Sequence, residues 1–75
     1  MTPIPIIVYG AGGHGKTLVD LLRILPDYDL LGFVDDTCPP GAQVMGLPVL
    51  GGAEALPWLR ARGVTRAVNG EGGIG

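Results

Sequence analysis

The segment Gly-Ala-Gly-Gly-His-Gly at residues 10–15 matches the pattern G-x-G-x-x-G. Between a strand and a helix, this pattern is typical of a turn that holds a phosphate group. Gly10 allows the sharp turn, Gly12 allows the backbone to approach the anion, and Gly15 allows the helix to pack on the sheet. The free N–H groups and the dipole of the first helical turn then attract the anion. We therefore predict an anion site at Gly10, Gly12, Gly13 and Gly15.

Two polar side chains accompany these glycines. His14, the only histidine, could donate a hydrogen bond to a phosphate or a sugar, or could simply pack against the protein. Lys16 falls in the first helical turn, where the helix dipole disfavours a positive charge. An anion nearby would account for that placement, and a surface lysine is the alternative. Both are candidate binding residues.

Two acidic residues follow the second apolar run of the sequence. Asp35 lies 20 residues beyond Gly15, where a dinucleotide-binding sequence carries the acid that binds a ribose. Asp36 comes directly after it. A solvated turn after a strand is the alternative interpretation of the pair.

Two further functions are compatible with the glycine segment. With Lys16 and Thr17 added, it also satisfies G-x-x-x-x-G-K-[ST], in which the lysine reaches the phosphates and the threonine holds Mg²⁺. This alternative, a fragment of a P-loop NTPase, ranks second because we expect its metal-binding acid further along the chain. Half of an NAD(P)-binding Rossmann domain is the other alternative, although a second βαβ half is missing.

The elements that position these residues follow from hydrophobic periodicity. Residues 4–9 form a continuous apolar run, which indicates a strand buried on both faces of a parallel sheet. A helix is predicted from residue 14 or 15 to residue 25, ending before Pro26. Its inward face carries Leu18, Leu21, Leu22 and Leu25.

The rest of the chain predicts a second βα unit. We expect a strand over residues 30–34, one short edge strand drawn from residues 44–45 and 48–50, a helix over residues 53–63 and a strand over residues 64–69. In this helix Ala55, Leu56 and Leu59 should point inward. The order β-α-β-(β)-α-β predicts one α/β domain over residues 1–75, with a Rossmann-like parallel sheet of about four strands. Two short helices cannot cover both faces of such a sheet, so we expect either a truncated half of a larger protein or a chain that associates through an apolar face, and the glycine-rich loop after the last strand favours the first.

Composition excludes several classes of protein. Hydrophobic residues make up 47% of the 75, too many for a disordered chain. A net charge of −2 with five Lys plus Arg gives no basic patch for nucleic acid. One cysteine and one histidine cannot build a His/Cys zinc site, and we predict no metal site. We expect no signal peptide and no membrane span, and hence a cytoplasmic location.

At this point the sequence resembles a known bacterial family. The segments VYGAGGHGK, FVDD and GLPVLGG, and a last strand leading into a glycine-rich loop, are similar to the N-terminal domain of sugar acyltransferases. These enzymes are of the pilin-glycosylation and sialic-acid O-acetyltransferase kind, and the resemblance covers essentially all 75 residues. It implies a Rossmann-like domain that binds a nucleotide-activated amino sugar, a UDP-sugar. In the family, a C-terminal left-handed β-helix binds acetyl-CoA and supplies the catalytic histidine, and the active unit is a homotrimer.

The resemblance also implies roles for individual residues. The phosphates and sugar would be lined by Gly12, Gly13, His14 and Lys16, the nucleoside would contact Asp35 and Asp36, and the loop near Asn69 and Gly70 would close the site. Two positions depart from the family pattern, because Thr17 replaces an apolar residue and Asn69 stands where a small residue is usual. The β-helix is missing from the chain. We therefore expect no catalytic residue and no cofactor here, and a chain that binds its ligand without transferring an acetyl group.

Overall fold

Residues 2–69, the part of the chain that the computed structural model describes, form five strands, two α-helices and a short 3₁₀ turn. In chain order these elements are β1 (Ile4–Tyr9), α1 (Gly13–Arg23), β2 (Tyr28–Val34), β3 (Gln43–Val44), β4 (Leu47–Gly51), the 3₁₀ turn Ala53–Ala55, α2 (Leu56–Ala61) and β5 (Arg66–Asn69). Both predicted helices and the predicted strands that correspond to β1, β2 and β5 are therefore present, with bounds that differ by a few residues, whereas two strands, β3 and β4, replace the predicted edge strand. Within these residues, no helix is both long and apolar enough to cross a bilayer.

The five strands form one sheet in the order β3-β4-β2-β1-β5. Strands β4, β2, β1 and β5 run parallel, whereas β3 runs antiparallel to β4. The α/β class is thus confirmed. The prediction of a wholly parallel sheet with about four strands is wrong, because the sheet is mixed and has five strands.

A tight hairpin explains the additional strand. Met45 and Gly46 connect β3 to β4, and both have a positive φ, 53° and 77°. Two such residues between antiparallel strands match a type I′ turn, whose twist suits the flanking strands. The single edge strand expected from residues 44–50 is therefore two strands, and β4 is covered by β3 on its outer side.

Strand β1 is buried on both faces, as its continuous apolar sequence predicts. Ile6 and Val8 belong to an apolar cluster with Val19 and Leu22 of α1. Ile7 points to the opposite face, into a second cluster that contains Leu59 of α2. Each helix therefore covers one face of the sheet at its centre, and β1 lies between them.

The inward face of α1 differs from the predicted leucine stripe. Its buried residues are Gly15, Val19 and Leu22, while Leu21 and Leu25 are 53% and 43% exposed. The prediction that Leu21 and Leu25 belong to the buried face is therefore wrong. The reason is that α1 packs on the preceding turn through Gly15, where a Cβ would overlap the carbonyl oxygen of Gly10, so its buried face includes a small residue that hydrophobic periodicity does not detect.

Helix α2 follows the prediction more closely. It is preceded by the 3₁₀ turn, Pro57 lies in its first turn, and Leu59 is buried. Leu56 packs partly buried against the same cluster. Gly63, with φ of 93°, follows the end of the helix, in agreement with the predicted stop.

Candidate functional site

The carboxyl ends of the parallel strands form one level edge of the sheet. Tyr9 at the end of β1 pairs with Val34 of β2 on one side and with Asn69 of β5 on the other, and Val34 pairs in turn with Gly51 of β4. The segments after these strands therefore lie beside one another. Chain order reverses at β1, whose neighbours β2 and β5 follow it by different connections, and ligands of open α/β sheets bind at such a switch point.

All candidate binding residues that the structure describes lie at this edge or start from it. The β1–α1 turn carries Gly10 to Lys16, the segment after β2 carries Asp35 and Asp36, and Asn69 ends β5. Gly70 lies outside the described residues. The sheet thus brings together residues up to 59 positions apart in the sequence, from Gly10 to Asn69.

The turn from β1 into α1 depends on two glycines. Gly10 has φ of 102°, which disfavours any residue with a Cβ, and its N–H donates to the carbonyl of Val34 at 2.8 Å. A Cβ on Gly15 would overlap the carbonyl oxygen of Gly10 and would lie 3.5 Å from a methyl group of Val8. Gly15 therefore allows the first turn of α1 to rest directly on the turn that precedes it.

The N-terminus of α1 is open. Gly12 is its N-cap and provides no side-chain acceptor, and the first turn contains no acidic residue. The first N–H groups of a helix have no carbonyl one turn earlier to accept their hydrogen bonds. Among residues 2–69, no atom beyond the neighbouring backbone would lie within 4 Å of a Cβ on Gly12 or Gly13, so the described part of the chain leaves space beside the backbone at this point. These donors and this space are what an anion requires. His14 and Lys16 are exposed in the same turn.

Asp35 is buried, with only 5% of its surface exposed. Its Oδ2 accepts a hydrogen bond from the backbone N–H of Ala11 at 2.7 Å. Its Oδ1 accepts from the hydroxyl of Thr37 at 2.6 Å and from the N–H of Thr37 at 2.7 Å. The Thr37 hydroxyl, followed by the backbone N–H groups, holds the pKa of Asp35 below its usual 3.8, although burial acts in the opposite direction. Both carboxylate oxygens therefore bind the protein itself.

Asp36 is exposed and connects two strand ends. Its Oδ2 accepts from the phenol of Tyr9 at 2.9 Å, and its Oδ1 accepts from the N–H of Ala53 at 2.7 Å. Gly52 lies against this carboxylate, where a Cβ would overlap Oδ1. The N–H of Gly52 also donates to Glu54 Oε1 at 2.9 Å. Asp36 thus holds the segment after β4 to the end of β1 on the same edge as the anion turn.

Sequence reasoning missed three members of this network. Thr37 could have been found, because an acid followed two residues later by a threonine often forms a local side-chain turn. Tyr9 and Ala53 contact Asp36 because the sheet order places the ends of β1 and β4 beside the segment after β2. No local sequence pattern indicates these contacts. The predicted contacts of Asp35 and Asp36 with a nucleoside, and of Asn69 with the ligand, stay predictions.

Thr17 bears on the P-loop alternative. Its hydroxyl donates to the carbonyl of Gly13 at 3.2 Å, a bond from one helical turn to the previous one. In this arrangement the hydroxyl that would hold Mg²⁺ is bonded to the helix backbone. Among residues 2–69, no group of three or more His, Cys, Asp or Glu side chains is placed to hold a metal ion.

A cavity of about 250 Å³ lies away from the glycine turn, between α2 and the start of β5. It is lined by Ile7, Leu56, Leu59, Arg60, Val64, Thr65, Arg66 and Ala67. None of these residues belongs to the β1–α1 turn or to the segment after β2. The carboxyl edge is the better candidate, because open backbone donors and polar side chains meet there.

Comparison with known proteins gives one family. A family model described as the PglD N-terminal domain matches residues 5–73, which include every helix and all but the first residue of the strands described above. Neither the curated proteins nor the solved structures contain a significant match.

Proposed function

We propose that this chain, which belongs to the family of PglD N-terminal domains of sugar acetyltransferases, binds the nucleotide-activated sugar on which such an enzyme acts. We further propose that this ligand is a UDP-sugar. The observation that supports the proposal is the first turn of α1, which has no side-chain cap and, among the described residues, has space beside the backbone of Gly12 and Gly13. The first N–H groups of a helix have no acceptor within the helix. A diphosphate supplies the acceptors and the negative charge that such a turn attracts.

The remaining residues of the edge suit the other parts of that ligand. Lys16 adds a positive charge in the first turn, where the diphosphate would be held, and the imidazole of His14 can donate to a phosphate or sugar oxygen. Asp36 is exposed, and each of its oxygens retains a second acceptor site for a hydroxyl or N–H of the nucleoside. Asn69, with Gly70 after it, would close the site from β5.

Binding without catalysis is part of the proposal. Acetyl transfer requires a general base that deprotonates the acceptor and donors that stabilise the oxyanion. His14 is the chain's only histidine, and its place in the first turn suits it to the ligand's phosphates rather than to an acceptor group. By the resemblance, acetyl-CoA and the catalytic histidine belong to the β-helix of a complete trimeric enzyme.

Calorimetry tests the proposal against its two alternatives. The 75-residue chain is titrated with UDP-N-acetylglucosamine, UDP, NAD and ATP with Mg²⁺. We expect UDP-N-acetylglucosamine to bind at least tenfold more tightly than NAD or ATP. Tight NAD binding without a UDP-sugar signal would overturn the proposal in favour of a dehydrogenase half. Mg²⁺-dependent ATP binding that is lost in Thr17→Ala would overturn it in favour of a P-loop fragment.

Variants assign the binding to the edge. We expect His14→Ala, Lys16→Ala and Asp36→Ala each to weaken UDP-N-acetylglucosamine binding. The matched control is Arg66→Ala, which removes a positive charge at the start of β5, three residues before the carboxyl edge, where Arg66 pairs with Ile6 in the middle of β1. If Arg66→Ala weakens binding as much as Lys16→Ala does, net charge rather than the turn determines the affinity. Incubation with acetyl-CoA and the sugar nucleotide should yield no acetylated product.

A further inference from the structure

We propose that Asp35 is a positioning residue, which fixes the anion-binding turn through the N–H of Ala11 and does not itself contact the ligand. The inference rests on the proposed function in one respect, that the turn is where the ligand binds. It differs from what the sequence spacing indicates, since an acid at this position would normally bind a ribose.

Asp35 is too buried to bind a ribose. A ribose-binding carboxylate must present its oxygens to the hydroxyls of the ligand, whereas Asp35 is 5% exposed. Both of its oxygens accept short hydrogen bonds from Ala11 and Thr37. Its neighbour Asp36 is exposed at the same edge. The two acids therefore divide their roles, and Asp36 is the one left to face a ligand.

The hydrogen bond from Ala11 to Asp35 lies where the backbone enters α1. Ala11 lies between Gly10, whose φ is positive, and Gly12, the N-cap of α1. The side chain of Ala11 is buried in the apolar cluster that contains Val19 and Leu22 of α1. Packing therefore fixes the side chain of Ala11, and the carboxylate of Asp35 fixes its backbone. Hydrogen bonds from an N–H to an ionised carboxylate are shorter and stronger than those between neutral groups. The bond therefore sets the path along which the backbone reaches the first turn of α1.

Asp35 also connects segments that lie side by side at the carboxyl edge of the sheet. The Ala11 bond joins residues 24 positions apart, across the ends of β1 and β2. The N–H of Asp35 donates to the carbonyl of Gly51 at 2.9 Å, which adds the end of β4. A change at Asp35 should therefore displace the anion turn relative to the rest of the edge.

Asp35→Asn is the direct test, because an amide cannot replace this carboxylate. Its single side-chain oxygen can accept either from the two donors of Thr37 or from the N–H of Ala11. The orientation that faces Thr37 keeps two hydrogen bonds, so we expect the variant to adopt it, and it leaves the N–H of Ala11 opposite an NH₂ group, without an acceptor. We expect the amide hydrogen of Ala11 to exchange with solvent at least tenfold faster in the variant, and the affinity for UDP to fall at least tenfold. Thr37→Val, the control, leaves the Ala11 bond in place and should change the affinity less than threefold.

Inorganic pyrophosphate separates positioning from direct contact. It carries the phosphates without ribose or base, so a residue that touches only the nucleoside cannot affect its binding. We expect Asp35→Asn to weaken pyrophosphate and UDP by the same factor. A loss confined to UDP would overturn the proposal and assign Asp35 to the ribose. Faster exchange at Ala11 with unchanged affinity for both probes would overturn it too.

The contact between Asp35 and Ala11 can still be tested if the variant does not fold or if no nucleotide binds. In the wild-type chain the Ala11 amide should exchange at least tenfold more slowly than the amide of His14 in the first turn of α1, and a rate equal to that of His14 would overturn the anchoring contact. If Ala11 is protected but neither UDP nor UDP-N-acetylglucosamine binds, the proposed function fails while the contact stands. If Asp35→Asn does not fold, Asp35→Ala with pyrophosphate repeats the comparison.

Discussion

The carbonyl oxygen of Gly10 occupies the place where a Cβ of Gly15 would lie. This relationship brings the first turn of α1 onto the end of β1, so that its N–H groups open at the carboxyl edge of the sheet. The G-x-G-x-x-G spacing predicts this close packing, and the structure assigns it to one backbone atom.

Gly15→Ala should therefore destabilise the protein. The obstacle is a backbone carbonyl, which cannot move as the end of a flexible side chain can, and overpacking of this kind costs about 1–3 kcal/mol. Urea unfolding followed by circular dichroism measures the change in the free energy of unfolding. An unchanged free energy would mean that the helix does not rest on the turn as described.

Gly12→Ala should have the opposite combination of effects. The φ of Gly12 is −73° and a Cβ there would meet no atom of residues 2–69 beyond its chain neighbours, so the free energy of unfolding should change by less than about 1 kcal/mol. The added methyl group would occupy the space assigned to the anion, and calorimetry should show at least a tenfold loss of affinity for UDP-N-acetylglucosamine. Full affinity in a folded Gly12→Ala protein would place the ligand elsewhere.

Acid should reveal the contribution of Asp35 to stability. Because hydrogen bonds lower its pKa in the folded state, the unfolded chain takes up a proton first as the pH falls. The stabilisation is complete well above the usual pKa of 3.8 and is lost as the pH falls below it, through the lower pKa of the folded state. Asp35→Asn lacks this group, so the difference in unfolding free energy between wild type and variant should shrink below pH 4. A constant difference between pH 7 and pH 2 would contradict the assignment.

Two adjacent leucines of α1 should respond differently to truncation. Leu22 is buried, and Leu22→Ala should cost about 2–5 kcal/mol of unfolding free energy. Leu21 is 53% exposed, and Leu21→Ala should cost less than about 1 kcal/mol. Chemical unfolding of the two variants side by side measures both, and equal losses would mean that the helix is rotated from its described orientation.

The sequence is most informative where a pattern has a local physical cause. The continuous run of β1, the stop at Gly63 and the turn at Gly10 each follow from the conformational range or burial of the residues concerned. The β3–β4 hairpin escapes prediction because Met45 adopts a positive φ that Asn, Asp or Gly would normally mark. The buried face of α1 escapes it because Gly15, which packs against the carbonyl of Gly10, has no side chain to contribute to the periodicity.

In the site, too, the sequence predicts position better than it predicts the role of each residue. The spacing to Asp35 and Asp36 identifies the edge at which they lie, since both follow a strand parallel to β1. It does not separate a buried anchor from an exposed side chain, because that depends on Ala11, Thr37 and Tyr9, which meet the acids only after the sheet has formed.

The central claim is that the first turn of α1 binds the diphosphate of a sugar nucleotide, and an NMR titration tests it most directly. The ¹⁵N-labelled 75-residue chain is titrated with UDP-N-acetylglucosamine while the backbone amide signals are followed. We predict the largest shifts at the amides of Gly12, Gly13, His14 and Gly15, with smaller ones at Asp36. Shifts confined to the cavity between α2 and β5, at Leu59, Val64 and Arg66, or no shifts at millimolar ligand, would contradict it.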